Sequence, residues 1–470
     1  MAGITSYGAY IPLLRLPHDT IGKAWGRRGG LGERSVANAD EDSLTMAVEA
    51  GLNCIEGFDR EQIDGLLFAS TTSPYKEKQG ASLIAAVADL KKNIITGDYA
   101  QTLRAGTNAF RSALSSVKSG DANNVLVTVA DNRIPYPKSS FEQGFGDGAA
   151  ALMLGESDVA VEIEDSYSVS DELTDIWRLE DDRFVKSWED RWVLMHGVSA
   201  NTINAVSAVM EKNNLKPGDI NRAILYAPDA RTHQGMMRRL GFDSEQIQDP
   251  LLNNVGNVGA AHSVLMLVAA LEDAQSGDRF IWSSYGDGAD AFVLRVTDNI
   301  KKLQNRRGVK QHVESKRTLD SYEKYLTYRE LIDKPEQAGF RGGSSATAMW
   351  RTRNWVLSLH GSKCKQCGLI TFPIQRVCYQ CMAKDDYEEI RLYDKHATLF
   401  TYSLDNLAGG SDPPLVQACL DFEGGGRMYC VMTDVDPSTV EIDMPLEMTF
   451  RMIHKGAGFN NYFWKCRPPR

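Results

Sequence analysis

The sequence predicts an α/β domain of duplicated construction, followed by a four-cysteine ribbon and a small β-barrel. Three observations predict this class: alternating strand and helix patterns in the first part of the chain, an internal repeat within that part, and two CxxC pairs after residue 360. The chain has 470 residues, which is too long for one hydrophobic core, so we expect two or three domains.

Apolar, β-rich runs alternate with helical patterns over roughly the first 300 residues. Continuous apolar runs next to Gly, Asn or Asp are typical of strands buried on both faces. The predicted strands are IDGLLFAST (63–71), NVLVTVAD (124–131), AALMLG (150–155), RAILYAP (222–228) and RFIWSSY (279–285). The predicted helices include LTMAVEAGLNCIEG (44–57) and AHSVLMLVAALEDAQ (261–275).

An internal repeat supports a duplicated domain. The segment FGDGAAALML at 145–154 matches YGDGADAFVL at 285–294 in six of ten positions. A predicted helix that ends in Ser-Gly-Asp, at 119–121 and at 276–278, precedes each segment. The order helix, Ser-Gly-Asp, strand, Gly-rich turn, strand therefore occurs twice, which favours two pseudo-repeats at about 1–160 and 161–305.

The remaining third of the chain has a different character. Residues 306–355 are charged and irregular, and we expect a linker with a short helix near 321–331 and a Gly/Ser-rich run at 340–348. The two cysteine pairs predict a ribbon at 356–388. Short strands with Gly and Pro turns predict a small barrel at 389–470.

Four cysteines have the spacing of a structural zinc site. Cys364 and Cys367 form one CxxC pair, and Cys378 and Cys381 form the second after ten intervening residues. Each pair directs two thiolates to one point, and four thiolates complete a closed tetrahedral shell. We therefore expect a bound Zn²⁺ that stabilises the ribbon and takes no part in catalysis.

Composition and charge exclude several classes of protein. The net charge of −10 argues against a general nucleic-acid binder, although it allows a local basic patch for an anionic ligand. The first residues lack the basic start and apolar run of a secretory signal. No apolar stretch of about 18 residues predicts a membrane span, so the sequence predicts a cytoplasmic protein without a membrane partner.

The quoted motifs resemble known families over almost the whole chain. Residues 1–300 resemble the thiolase superfamily, most closely its 3-hydroxy-3-methylglutaryl-CoA synthase branch. That resemblance is carried by QTLRAGTNAF (101–110), TDIWR (174–178), YAPDARTHQGMMRRLGF (226–242), NVGNVGAAHS (254–263) and SYGDGADAF (284–292). Residues 320–470 resemble the zinc-ribbon and OB-fold partner proteins of thiolase-like enzymes. This second resemblance is carried by the four cysteines, DFEGGGR (421–427), TFR (449–451) and NYFWKCRP (461–468).

The resemblance implies a five-layered αβαβα thiolase-like fold that binds acyl-CoA and forms a homodimer through this domain, fused here to its companion module. It also implies a site with a nucleophilic cysteine, a histidine, an asparagine and often a glutamate. Only the asparagine is kept, as Asn257. Leu103 stands at the cysteine position, Tyr226 at the histidine position and Thr72 at the best match for the glutamate.

The remaining side chains still suit acyl-CoA chemistry. We expect Tyr226, Asn257, Tyr285 and His262 in the catalytic pocket, and backbone N–H groups near Gly286 and Gly106 beside a developing enolate. His262 has helix packing as its alternative role. Arginines of one helix could meet the CoA phosphates, or form a solvated helix face instead; they are Arg231, Arg238 and Arg239.

Three functions remain open from the sequence. Leucine cannot form an acyl-enzyme, so the leading hypothesis is a lyase that makes or breaks a C–C bond β to a thioester by an aldol or retro-aldol step. The resemblance adds precedent, since some thiolase-like proteins without the cysteine act as acyl-CoA retro-aldolases. The alternatives are an acyltransferase or Claisen-type synthase with a thiol supplied by a partner, and a non-catalytic acyl-CoA-binding subunit of a partner enzyme in the same pathway.

Overall fold

The structure is a computed structural model that describes residues 2–332, 345–408, 412–456 and 458–470. It divides into two compact units. The first comprises residues up to Asn38 and Asp42–Arg329; the second comprises Ala39–Glu41 and the chain from Glu330 to Arg470. Most of the predicted Gly/Ser-rich run at 340–348 lies outside the described residues.

The first unit alternates strands and helices, as the sequence predicts. Its strands are β1 (Gly3–Tyr10), β2 (Leu14–Pro17), β3 (Glu33–Val36), β4 (Gly65–Ala69), β5 (Ile95–Tyr99), β6 (Val125–Asp131), β7 (Gly148–Gly155), β8 (Val161–Ser170), β9 (Ile176–Trp177), β10 (Lys186–Ser187), β11 (Arg222–Leu225), β12 (Arg279–Tyr285), β13 (Gly288–Val296) and β14 (Arg317–Thr318). Its helices are α1 (His18–Ala24), α2 (Ser43–Cys54), α3 (Gly80–Val87), α4 (Ala105–Ser119), α5 (Phe141–Gly144), α6 (Asp190–Trp192), α7 (Ala200–Lys212), α8 (Ala230–Leu240), α9 (His262–Leu271), α10 (Val309–Glu314) and α11 (Tyr322–Tyr328).

The strand order repeats between the two halves of the first unit. The main sheet runs β11-β12-β13-β8-β1-β7-β6-β4-β5. When the strands of this sheet are numbered in chain order within each half, the first half has the order 3-2-4-5-1. The second half repeats 2-4-5-1, and a single parallel bridge between Ala223 and Ile247 stands where its third strand would lie. The half-sheets meet where β1 and β8 pair, at Gly3–Glu162 and Ile4–Val161. This repeated topology confirms the duplication.

Equivalent helices occupy equivalent layers in the two halves. The outer helices α2 and α7 each pack on the half-sheet of their own repeat. The inner helices α4 and α9 are almost wholly apolar where they meet the sheets, and the main core contains residues of both. This arrangement gives the predicted α, β, α, β, α order of layers.

The predicted linker begins too early. Residues 306–329 belong to the first unit rather than to a linker. In this stretch β14 pairs with β2, and α10 packs against α9. Buried contacts explain the difference: the guanidinium of Arg329 lies 3.1 Å from the carboxylate of buried Asp147. The charged sequence does not predict this burial, because the charge of Arg329 is buried against that of Asp147 and leaves no apolar pattern.

The second unit consists of a helix, a small sheet and a closed barrel. Its elements are α12 (Ala346–Leu357), β15 (His360–Cys364), β16 (Ile370–Thr371), β17 (Tyr387–Arg391), β18 (Ala397–Asp405), β19 (Leu415–Phe422), β20 (Arg427–Met432), β21 (Pro445–Gly456) and β22 (Phe459–Arg467). The barrel closes in the order β18-β19-β20-β22-β21, as predicted for an OB-like module. Arg451 of the TFR motif is buried and lies 2.6 Å from Asp434.

Candidate functional site

A largely apolar cavity of about 300 Å³ lies in the first unit and contains several of the predicted catalytic residues. Leu103, from the turn that leads into α4, lines it together with Tyr226, Asn257 and Tyr285. These four residues come from both sequence repeats. The structure therefore assembles the site from the two halves of the duplication, as the motifs predict.

Leu103 occupies the position expected for the nucleophile. It is 8% exposed and shares a small apolar cluster with Tyr226 and Tyr285. The loop of the second repeat approaches it closely, because Gly286 has a φ of +157° and a Cβ at that position would lie 2.9 Å from the backbone nitrogen of Leu103. The cavity therefore presents an isobutyl group where a thiol would be needed for acylation.

Asn257 is fixed in one orientation by its partners. Its Oδ1 accepts hydrogen bonds from Nη2 of Arg133 and from the backbone N–H of Gly259, each at 3.0 Å. Its Nδ2 donates to the phenol oxygen of Tyr226 at 3.0 Å. Because both oxygen contacts are donors, the amide nitrogen must face the tyrosine. Arg133 is held in turn by the ring of Phe145, 4.1 Å from the guanidinium carbon.

Tyr226 is a neutral phenol in this environment. The residue is 3% exposed, and burial raises its pKa above the ordinary value, an effect that the nearby Arg133 guanidinium partly opposes. Since the phenol oxygen accepts a hydrogen bond from Asn257, its own proton is available to another acceptor. Tyr226 is therefore equipped to donate a hydrogen bond or a proton into the cavity.

Asp175 and Tyr285 form a second polar pair in the cavity wall. Burial is the main cause that raises the pKa of Asp175. Burial also raises the pKa of the Tyr285 phenol, and the adjacent Asp175 carboxylate adds to that shift. No hydrogen bond of standard geometry reaches the buried Tyr285 hydroxyl from the described residues. A carboxylate with a raised pKa beside a cavity is a candidate general base.

A short π-helix, Val193–Ser199, supplies much of the apolar wall. Val193, Leu194 and Val198 line the cavity, and Gly197 lies against Tyr285. A Cβ at position 197 would approach the Tyr285 hydroxyl to 2.6 Å, so only glycine leaves that hydroxyl its space. Isolated π-helical turns are frequent at functional sites.

Other predicted catalytic groups lie outside the cavity lining. His262 packs edge-on against the Tyr226 ring, with 5.8 Å between ring centroids, and burial lowers its pKa to about 3. It is therefore neutral and supports Tyr226 from behind. The N–H of Gly286 itself is not free for an enolate, because it donates to the Gly288 carbonyl at 3.0 Å. Gly106, the other glycine expected there, is not a lining residue.

Thr72, at the glutamate position, belongs to a supporting network. Its hydroxyl donates to Asp131 at 2.9 Å and accepts from the backbone N–H of Asn132 at 3.0 Å. Asp131 also accepts from the backbone N–H of Ala260, at 2.7 Å, near the start of α9. These bonds tie the two repeats together beneath the site. Thr72 therefore has a structural role here.

The predicted CoA-binding arginines are exposed on α8. Arg231, Arg238 and Arg239 all face solvent, and α8 begins directly after Asp229, which lines the cavity. Asp229 caps the helix through the backbone N–H of Thr232 at 2.9 Å. The cationic helix thus starts at the cavity.

Sequence reasoning missed Asp175 and Arg133. Asp175 lies in the TDIWR segment, where an acid beside apolar residues was a usable signal. Arg133 is 3% exposed and follows the end of β6. An arginine at the carboxyl end of a buried strand was a weaker signal, since its partner Asn257 is distant in sequence.

The four cysteines of the second unit converge as predicted. The Sγ atoms of Cys364 and Cys381 are 3.6 Å apart, those of Cys367 and Cys378 are 3.5 Å apart, and all four lie within 4.8 Å of one another. Thiolates around a tetrahedral Zn²⁺ with 2.3 Å bonds are about 3.8 Å apart, so this donor set fits such an ion.

Within the described residues, no helix is long and apolar enough to cross a membrane.

Family models match two segments of the chain. Residues 210–296 match the model described as 3-Oxoacyl-[acyl-carrier-protein (ACP)] synthase III C terminal. Residues 392–451 match the model described as ChsH2, C-terminal OB-fold domain. One match falls in the second repeat and the other in the barrel, as the sequence resemblance predicts.

Similar proteins extend these matches to most of the first unit. The hydroxymethylglutaryl-CoA synthases of Archaeoglobus fulgidus and Methanopyrus kandleri are 32% and 30% identical over 344 and 342 residues. These alignments cover 71% and 70% of this chain and 99% and 97% of the relatives.

Solved structures share the fold. The crystal structure of an HMG-CoA synthase complexed with CoA gives a TM-score of 0.65 at 18% identity, covering 73% of this chain and 93% of that one. The 3-oxoacyl-[acyl-carrier-protein] synthase III of Aquifex aeolicus gives 0.57 at 22%, covering 63% and 100%. The chain therefore belongs to the hydroxymethylglutaryl-CoA synthase family of the thiolase superfamily, with an OB-fold domain of the ChsH2 type at its C-terminal end.

Proposed function

We propose that the first unit cleaves a carbon–carbon bond of a 3-hydroxyacyl-CoA by a retro-aldol reaction, without a covalent acyl-enzyme. The observation that carries this proposal is the presence of Leu103 in the same cavity as Tyr226, Asn257, Tyr285 and Asp175. The nucleophile position is inert, whereas a proton donor and a candidate base remain.

The cavity supplies both proton transfers that a retro-aldol step needs. The 3-hydroxyl group gives its proton to the Asp175 carboxylate, either directly or by way of the Tyr285 hydroxyl. The bond between C2 and C3 then breaks, C3 becomes a carbonyl, and the electron pair of that bond passes to the thioester as an enolate. Tyr226 donates a hydrogen bond to the enolate and then transfers its proton to C2. The proton held by Asp175 passes through solvent to the Tyr226 phenolate and restores the phenol. The products are a carbonyl compound and a shortened acyl-CoA.

The enolate is the species that the site must stabilise. A buried donor aimed at a developing oxyanion contributes on the order of 3–4 kcal/mol in a dry site. Tyr226 is suited to that role because Arg133, through Asn257, fixes the orientation of the phenol oxygen. No reorganisation of these groups is needed when the charge develops, which is the physical basis of such stabilisation.

Product analysis tests the proposal. The purified protein is incubated with 3-hydroxyacyl-CoAs of several chain lengths, and the mixture is examined by mass spectrometry for a carbonyl product and the matching shortened acyl-CoA. We expect both products from the wild type and a large loss in Asp175→Asn and Tyr226→Phe. Tyr325→Phe is a matched control, because Tyr325 is fully buried but does not line the cavity. Absence of cleavage with every substrate, or wild-type rates in both variants, refutes the proposal.

A second candidate is a condensing reaction of the acyltransferase or Claisen type. The archaeal relatives are named hydroxymethylglutaryl-CoA synthases, which agrees with this candidate better than with cleavage. It would require a thiol that the cavity lacks, supplied by a partner protein. A covalent acyl adduct, found by intact-mass measurement after incubation with acyl-CoA, would establish it. Tight acyl-CoA binding without turnover, with activity restored by a partner enzyme, would instead favour a non-catalytic subunit.

We further propose the ligands that this function needs. Cys364, Cys367, Cys378 and Cys381 hold a structural Zn²⁺, which would stabilise the small ribbon sheet. The CoA phosphates lie along α8, where Arg231 and Arg238 are seven residues apart and therefore share a helix face. Arg239 borders that face. The proposed homodimer forms through the first unit.

A further inference from the structure

We propose that the cavity selects an uncharged, apolar acyl group and rejects acyl-CoAs that carry a free carboxylate on the acyl chain. The inference rests on the proposed acyl-CoA function and adds the substrate class. It is carried by the charge and polarity of the cavity lining.

The wall of the cavity is mainly apolar. Leu103, Phe141, Phe145, Ile176, Val193, Leu194 and Val198 contribute hydrocarbon surface. A volume of about 300 Å³ is at the lower end of ligand pockets, and apolar walls of this kind favour ligands that bury hydrocarbon. An alkyl or alicyclic acyl chain meets this requirement.

Every charged residue that lines the cavity is acidic. Asp175 belongs to the proposed proton-transfer pair, while Asp190 and Asp229 are the other two carboxylates of the lining. No lysine, arginine or histidine is among the lining residues of the described chain. An additional carboxylate inside would lose its hydration and face like charges with no compensating cation.

Two arginines near the lining residues, Arg133 and Arg178, are engaged elsewhere. Arg133 donates to Asn257 and is covered by the Phe145 ring, so a lining residue separates it from the cavity. Arg178 donates to the backbone carbonyl of Thr71. Neither Arg133 nor Arg178 is among the residues that line the cavity. A 3-hydroxy-3-methylglutaryl group, which ends in a free carboxylate, therefore fits the electrostatics of this cavity poorly.

Binding of two unreactive acyl-CoAs of equal chain length tests the inference. Octanoyl-CoA and its dicarboxylic counterpart octanedioyl-CoA differ in a terminal carboxylate, and neither has the 3-hydroxyl group that cleavage requires. We expect octanoyl-CoA to bind at least about tenfold more tightly in calorimetric titrations of the full chain. Equal or tighter binding of octanedioyl-CoA overturns the inference, and so does absence of binding by both.

Two variants test the electrostatic cause. Leu194→Arg places a cation in the lining and is expected to narrow or reverse the preference. Met195→Arg adds the same charge at the neighbouring residue, which is 57% exposed and outside the lining, and is expected to leave the ratio unchanged. Asp190→Asn, at an exposed position of the rim, is expected to narrow the ratio without disturbing the core. A ratio unchanged in both Leu194→Arg and Asp190→Asn contradicts the inference.

The outcome is separable from that of the proposed reaction. A tight octanoyl-CoA complex with rejection of octanedioyl-CoA supports the substrate class even if no 3-hydroxyacyl-CoA is cleaved. Cleavage of a 3-hydroxyacyl-CoA together with equal binding of the two probes supports the reaction and refutes the substrate class.

Discussion

The amide nitrogen of Asn257 donates to the phenol oxygen of Tyr226 at 3.0 Å, so the tyrosine is an acceptor toward the protein and keeps its proton for the cavity. The direction of this bond is fixed from the other side, because Oδ1 of Asn257 accepts from Arg133 and from Gly259. The hydrogen bonds from Arg133 to Asn257 and from Asn257 to Tyr226 thus leave the proton of the Tyr226 phenol for an acceptor in the cavity.

The direction of that bond predicts the effect of Asn257→Asp. Aspartate can still accept from Arg133 and Gly259, but its second oxygen would accept the Tyr226 proton instead of donating to the phenol. We expect the cleavage rate to fall by about 10²–10⁴, as for Tyr226→Phe, while thermal stability changes little. Steady-state rates and melting temperatures measure the two effects. Tyr226→Phe and Asn257→Asp should not add when combined, and additive losses would contradict the arrangement.

Asp175 predicts a pH dependence of turnover. Burial raises its pKa, so the carboxylate becomes a competent base only at a pH above the ordinary range of aspartate. The acidic limb of the rate profile is therefore expected to rise with pH through that raised value. In Asp175→Asn the rate should be low and this limb should disappear. Rate profiles of both proteins between pH 4 and 9 check the prediction, and an unchanged limb in the variant would remove Asp175 from the mechanism.

The same raised pKa predicts that the ionised Asp175 carboxylate lowers the stability of the folded protein. A carboxyl group whose pKa is higher in the folded than in the unfolded state loses stability as pH rises from the unfolded pKa to the folded one. At pH 7 the asparagine variant is thus expected to melt at a higher temperature than the wild type. A lower melting temperature would indicate that Asp175 supports the fold instead.

Glu272 predicts a second pH effect, remote from the cavity. Burial raises its pKa to about 7. The backbone N–H groups of Val309 and Lys310 donate to the carboxylate and partly oppose this rise. The free energy of unfolding should therefore fall between about pH 4.5 and pH 7. Glu272→Gln removes the ionisation and is expected to stabilise the first unit by roughly 1–3 kcal/mol at pH 8, with little effect at pH 5. Denaturant unfolding at both values measures this, with Glu211→Gln, at an exposed helix position, as the control.

Cys378→Ser tests the metal site. Removing one of four thiolates leaves an incomplete shell, so this variant is expected to bind little of the zinc that we propose for the site. Its second unit should also resist proteolysis less. Metal content per chain and limited proteolysis measure the two effects. Cys430→Ser, at a buried barrel position outside the cluster, is the matched control and should keep its zinc. One equivalent of zinc retained by Cys378→Ser would contradict the assignment.

Much of the fold could be predicted because its signals are local. The strands at 63–71 and 279–285 are apolar runs, and the repeated Gly-Asp-Gly turn marks the duplication. The parallel bridge of Ile247 could not be predicted, because a single residue replaces a strand. Residues 306–329 were misplaced because the paired burial of Arg329 and Asp147 leaves no apolar pattern in the sequence.

The motifs suggest Tyr226 and Asn257 for one pocket, and both residues line the same cavity. Residues whose role depends on a distant partner were missed. Asp175 becomes informative only when Tyr285 lies beside it, and Arg133 only when it meets Asn257. For His262, which follows the asparagine turn, the sequence allowed either a pocket contact or packing of its helix. In the structure its ring packs against Tyr226, outside the cavity lining.

Leu103 offers a gain-of-function test of the non-covalent reaction. The wild type is expected to show no acyl adduct after incubation with acyl-CoA. Its buried Cys54 serves as an internal control, because burial raises the pKa of that thiol to about 12. Leu103→Cys places a thiol in the cavity and should give slow acylation. Leu103→Cys combined with Tyr226→His should acylate faster, since an imidazole near a thiol favours the thiolate. Intact-mass measurement follows the adduct. An adduct on the wild-type cavity would refute the non-covalent proposal, whereas acylation that requires the introduced thiol would show that Leu103 prevents acylation in the wild type.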